Sequence, residues 1–119
     1  MTGYVVFAHG SSIESANDAV RAVAADMERQ GGMLVAAAFL EGGEPDLRGA
    51  VESMADRVSR VVVVPYFLTL GLHLQRDLPR LVEDVRRAYP SIEIQVTAPL
   101  DGHPAMVEVL LARAREAGS

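Results

Sequence analysis

Val61-Val62-Val63-Val64-Pro65 (VVVVP, residues 61–65) decides the fold. Four consecutive β-branched residues favour extended backbone, and a run without polar alternation suits only a strand covered on both faces. Such a strand belongs in the middle of a parallel sheet with crossover helices on each side. Pro65, which has no N–H to donate, closes the run.

Outward from this run, short apolar segments alternate with helical patterns. Gly3 to Ala8 (GYVVFA), Leu34 to Leu40 and Ile92 to Ala98 read as three further strands. The last of these alternates Ile92, Ile94, Val96 and Ala98 with Glu93, Gln95 and Thr97, as a half-exposed strand at a sheet edge does. From Glu14 to Gln30, Ala16, Ala19, Val20, Val23, Ala24 and Met27 recur at helical spacing, and Gly31-Gly32 supplies the stop. Asp46 reads as the N-cap of a second helix with Leu47, Ala50, Val51, Met54, Ala55 and Val58 on one face. A third helix turns Leu78, Leu81, Val82 and Val85 inward and ends at Pro90, after a loop of about ten residues that holds Gly71 and His73. The fourth opens at His103-Pro104 and is expected to pack through Val107, Leu110, Leu111 and Ala114. Met27, Met54 and Met106 lie in these stripes and read as core.

The order β-α-β-α-β-α-β-α, joined by right-handed crossovers, predicts a single doubly wound, flavodoxin-like α/β domain over residues 1–119. Its four parallel strands should run in the order 2-1-3-4. With 119 residues, half of them hydrophobic, the chain can fill one core. A net charge of -5 argues against nucleic-acid partners, which are bound through an excess of basic residues. No apolar run approaches the ~20 residues of a membrane span, and the N-terminus lacks the features of a signal peptide, so a cytoplasmic protein is expected. The absence of cysteine excludes disulfides and thiolate metal sites.

The three histidines, His9, His73 and His103, each fall at or just past the end of a strand-like run. That is the edge where open parallel α/β sheets bind ligands. Imidazole is a borderline ligand for Fe, Co, Ni, Zn and Cu, and with an unperturbed pKa of ~6.5 it also accepts protons near neutrality. Glu41 directly follows the second strand and could relay protons, with Glu44 as the substitute a little further on. His103 precedes a helix-opening proline, so a capping role suits it as well as chemistry. Ser11 or Ser12 beside His9 invites a hydrolase reading, which fails because no Gly-x-Ser-x-Gly elbow is present.

Four stretches occur in order across nearly the whole chain: AHGSS (8–12), FLEGGEP (39–45), VVVVPYFLTLGLHLQRDLP (61–79) and PLDGHP (99–104). In these the sequence resembles the small class II chelatases of the CbiX/SirB type, which insert metal into sirohydrochlorin. The third stretch is the most specific, because Pro65, Phe67-Leu68, Gly71, His73, Asp77 and Pro79 must all fall in register. The resemblance implies a metal chelatase of cobalamin or sirohaem biosynthesis, with Co2+, Fe2+ or Ni2+ as substrate and no tightly bound cofactor. It implies that His9 and His73 hold the incoming metal and accept pyrrole protons, that Glu41 assists, and that Ser11, Ser12, Arg76 and His103 meet the tetrapyrrole. It also implies a homodimer, since the short members of the family pair. Sirohydrochlorin is rimmed with carboxylates, so an acidic protein must meet it through local features such as Arg76, Arg80 and helix N-termini. The family often carries a basic residue where this chain has Ser12, so a charged grip from that loop is not implied. A non-catalytic metal carrier or tetrapyrrole-binding module would use the same histidines.

Overall fold

In the computed structural model, which describes residues 1–118, the valine run becomes strand β3 (Arg60–Pro65). It lies between β1 (Thr2–Ala8) and β4 (Glu93–Val96), and β2 (Leu34–Phe39) flanks β1 on its other side. All pairings are parallel and the order is β2-β1-β3-β4, as the alternation of elements predicts. Helices α1 (Glu14–Gly31), α2 (Leu47–Met54), α3 (Leu72–Ala88) and α4 (Ala105–Gly118) follow the four strands in turn.

The register sets which side chains share a face. Val5 lies opposite Ala36 and Val63, and Val63 opposite Val96. On this face Val5, Phe7, Val61, Val63 and Ile94 pack against Leu47, Ala50, Val51 and Met54 of α2 and Leu74, Leu78, Val82 and Val85 of α3. The opposite face is covered by α1 over β1 and β2. Local signals work as the sequence suggests: the Asp46 carboxylate accepts from the Gly49 N–H at 2.8 Å, and Gly32 ends α1 in the left-handed region at φ 62°.

Two expectations need correction. First, α3 begins at Leu72, so the preceding loop is short and His73 lies in the first helical turn. Pro79 sits inside α3. It is on the exposed side, where the carbonyl of Gln75, deprived of its donor, can be hydrated, while Leu74, Leu78 and Val82 hold the buried side. Second, α4 buries none of its residues, and Val107, Leu110 and Leu111, the stripe expected to face a core, are exposed, with Met106 half-buried. Periodicity identifies an apolar face but not what covers it. The extended α4 shows in the shape: the radius of gyration is 15.1 Å, against about 13.5 Å for a globular domain of this length. Among the described residues no helix is long and apolar enough to cross a membrane.

Phe7 is fully buried where β1 meets α2 and α3. Phe7→Ala should lower the free energy of urea unfolding by about 3–5 kcal/mol, whereas Glu52→Ala, on the exposed side of α2, should change it by less than about 0.5 kcal/mol. A Phe7→Ala loss below about 1 kcal/mol would contradict this account of the core.

Candidate functional site

The pairing of β1 with β2 continues past the strand ends. The Leu40 N–H donates to the Ala8 carbonyl at 2.9 Å and the Glu41 N–H to the His9 carbonyl at 3.0 Å, so the first residues beyond each strand stay side by side. His9 Nε2 consequently stands 3.7 Å from Glu41 Oε1. That distance is too long for a hydrogen bond, and both side chains are exposed, so the contact adds little to stability. His9 Nδ1 lies 3.2 Å from the Gly10 carbonyl oxygen. With Nδ1–H donating there, Nε2 keeps its lone pair for a metal ion or a proton. Gly10 makes this close approach possible: its φ is +90°, and a Cβ would meet the Glu41 carbonyl oxygen at 1.6 Å.

Asn17, only 1% exposed, joins the two loops. Its Oδ1 accepts from the Ser11 N–H at 2.9 Å, and its Nδ2 lies 2.9 Å from the Ser11 carbonyl, 3.0 Å from the Gly42 carbonyl and 3.3 Å from Glu14 Oε2. Arg21 lies one turn along α1, at 2.6 Å from Glu14, 2.8 Å from Asp18 and 2.9 Å from the Glu44 carbonyl, with its guanidinium over the Phe39 ring. Glu14, Arg21, Phe39, Glu41 and Glu44 bound a cleft beside His9. The Arg21 guanidinium, aided by Asn17, holds the Glu14 carboxyl below its ordinary value, and Glu14 in turn raises Arg21. A depressed carboxylate pKa stabilises the fold above the ordinary glutamate value. That contribution disappears as pH falls through the lowered pKa.

The loops after β3 and β4 are tied to each other in the same manner. The Leu100 N–H donates to the Phe67 carbonyl at 2.9 Å and the Asp101 N–H to the Leu68 carbonyl at 2.8 Å. His73 is exposed on the first turn of α3, and its side chain makes no hydrogen bond or ion pair with a described residue. Arg76 and Arg80 follow it at three and seven residues, which places all three on one exposed side of the helix. His103 Nδ1 accepts from the Ala105 N–H at 3.0 Å, which is the turn role considered for it. Ser11 Oγ accepts from the Ile13 N–H at 3.0 Å, so its polar groups are engaged in the loop, while Ser12 is exposed.

The structure thus brings His9 and Glu41 together and places Glu41, not Glu44, beside the ring. No hydrogen bond or ion pair joins His73 or His103 to them, and no group of three or more His, Cys, Asp or Glu side chains converges among the described residues. Several rim residues carry no sequence signal of function. Ile13, Leu68 and Leu72 expose 65%, 64% and 75% of their surface along the same edge, with Tyr66 also exposed. Asn17 is a weak helix former on the inward side of α1, four residues before Arg21 and seven before the buried Ala24. That anomaly is the one signal by which the sequence could have revealed it.

The model of the CbiX family matches residues 3–117. The chain belongs to the CbiX family. Over 98% of its length this CbiX chain is 30% identical to the sirohydrochlorin cobaltochelatase of Methanopyrus kandleri, of which it covers 97%. Over 91% it is 31% identical to the chloroplastic sirohydrochlorin ferrochelatase of Arabidopsis thaliana, of which it covers 49%. A CbiX protein from Marinobacter aquaeolei has the same fold, with a TM-score of 0.85 at 24% identity, covering 98% of this chain and 96% of that one. SirB from Bacillus subtilis does so at a TM-score of 0.88 and 22% identity, covering 99% of this chain and 48% of that one. The CbiX unit therefore matches the small relatives whole and the larger ones by half.

In this CbiX chain Asn17→Ala would leave the Ser11 N–H and the Gly42 carbonyl without their partner, at a cost of about 1–3 kcal/mol. Amide exchange at Ser11 should accelerate while that of the β3 valines stays slow. Unchanged Ser11 exchange would show that Asn17 does not hold the loops. Glu14→Gln should lose stability relative to the wild type near neutral pH, and the difference should shrink as pH falls below the ordinary glutamate value, read from urea unfolding at successive pH values. A difference independent of pH would contradict the Glu14–Arg21 pairing.

Proposed function

We propose that this protein is a sirohydrochlorin chelatase that inserts a divalent metal ion, Co2+ or Fe2+, into the tetrapyrrole. The observation that carries the reading is the His9–Glu41 pair on an open, apolar rim, in a chain whose relatives include both cobalt and iron chelatases of that substrate. A macrocycle is a flat apolar disc with charged margins, and Ile13, Leu68 and Leu72 offer it apolar surface. Arg76 and Arg80 stand beside His73 to meet its carboxylates.

The chemistry requires that M2+ shed water while pyrrole N–H protons leave and metal–nitrogen bonds form. His9 Nε2 and a ring nitrogen of His73 are the proposed donors to the incoming ion and the acceptors of the departing protons. Glu41, 3.7 Å from His9, stabilises the imidazolium that forms and passes the proton to solvent. An ion held by two imidazoles is held loosely enough to be handed on, whereas a complete protein donor set would compete with the four macrocycle nitrogens. A sparse, exposed donor set therefore suits a metal that is cargo. Ser12 and His103 lie at the margin of this arrangement and are proposed to touch the substrate periphery, His103 through the nitrogen its turn leaves free. Ni2+ is an alternative ion, because imidazole and carboxylate do not discriminate sharply among these metals.

An anaerobic absorbance time course with sirohydrochlorin and Co2+, Fe2+ or Ni2+ in turn tests the reading. We expect many equivalents of metallated product per chain. His73→Ala should lower kcat/KM about 100-fold or more with an unchanged unfolding midpoint. Arg76→Ala should raise KM and leave kcat nearly constant. Product that saturates at one equivalent would identify a carrier, and unchanged kcat/KM in His73→Ala would contradict the assignment.

A further inference from the structure

The segment that carries Glu41 is closed at its base and gripped from α1. The Phe39 N–H donates to the Pro45 carbonyl at 2.9 Å, which joins the two ends of the loop between β2 and α2. Asn17 holds the middle of the loop through the Gly42 carbonyl at 3.0 Å. Arg21, four residues further along α1, holds the base at two points. Its Nη2 donates to the Glu44 carbonyl at 2.9 Å, and its guanidinium carbon lies over the buried Phe39 ring, 5.1 Å from the centroid. The Glu14 carboxylate links the two grips, with Oε1 accepting from Arg21 at 2.6 Å and Oε2 lying 3.3 Å from Asn17 Nδ2.

An arginine in a cleft beside His9 invites another reading, a charged grip on a substrate carboxylate. The surroundings of Arg21 oppose it. Nη1 donates to both Glu14 and Asp18, Nη2 is taken by Glu44, and one face of the guanidinium is covered by Phe39. A further anion would find two carboxylates already there and repel them. Arg76 and Arg80, by contrast, stand exposed on α3.

We infer that Arg21 is a positioning residue of the site, a clamp on both ends of the β2–α2 loop that keeps Glu41 in the register beside His9. No hydrogen bond or ion pair joins Arg21 to His9 or Glu41 among the described residues, so it acts through the loop. The bond it protects is that of the Glu41 N–H to the His9 carbonyl at 3.0 Å, which sets the two exposed side chains 3.7 Å apart. For its effect on turnover the inference rests on the chelatase reading; the clamp itself needs no metal.

Arg21→Met tests it, because the unbranched stem still covers Phe39 and suits a helix while every donor is removed. Without metal or substrate, amide exchange at Leu40 and Glu41 should accelerate about 10-fold or more, with the β3 valines still slow. In anaerobic metal insertion into sirohydrochlorin, kcat should fall about 10- to 100-fold with KM nearly unchanged. In a Glu41→Gln background, Arg21→Met should cost nothing more. A raised KM at constant kcat would make Arg21 a grip on the substrate. Unchanged exchange at Glu41, or a loss of kcat that multiplies with that of Glu41→Gln, would show that it does not act through this loop. Each of these results overturns the inference. A wild type that metallates nothing would sink the chelatase reading, and Glu41 exchange alone would then uphold or overturn the clamp.

Discussion

Parallel pairing of β1 with β2, continued by two more hydrogen bonds beyond the strands, places an imidazole beside a carboxylate. Neither side chain has a buried partner to hold it, so their proximity is inherited from the backbone. Gly10 lets one loop pass within contact of the other, and Asn17 fastens both from below with its amide. The energy invested in this edge lies in buried backbone and amide groups, which tolerate exposure and exchange of the side chains above them. The rim can therefore stay open while its geometry is fixed from underneath.

The same division explains what the amino-acid pattern reveals and what it conceals. Val61 to Val64 announce a central strand because β-branching and lack of alternation each point the same way. Asp46 and Gly31-Gly32 mark helix ends because their conformational demands are local. The start of α3 is harder to read, since Gly71 brings no capping side chain to mark it and the first turn is exposed except at Leu74. The fate of α4 is not local at all: Val107, Leu110 and Leu111 declare an apolar side, and nothing in their spacing says whose surface it meets. Within the site, histidines after strands are visible as polar rings where apolar residues stop. Asn17 and the exposed Ile13, Leu68 and Leu72 carry no such contrast, because their roles arise from burial and exposure that only the folded chain defines.

The proposed chelatase chemistry suits a sparse, exposed donor set. Metal ions bound as structural or catalytic cofactors are enclosed by three or four ligands with hydrogen-bonded support. Here the two imidazoles lie apart, His9 in the loop after β1 next to Glu41 and His73 on the first turn of α3 with Arg76 and Arg80 on the same side of the helix. Under the proposed function both imidazoles meet the ion and the departing protons, and the two arginines meet the anionic margin of the substrate.

In the proposed reaction His9 and Glu41 act as one unit, because the β1–β2 ladder sets them side by side. A double-mutant cycle on kcat for metal insertion, with His9→Ala, Glu41→Gln and the pair together, tests it most directly. If the two work as a unit, the double variant should be no slower than the worse single variant. Losses that multiply, so that the double variant is slowed by the product of the single effects, would show two independent groups and contradict the account.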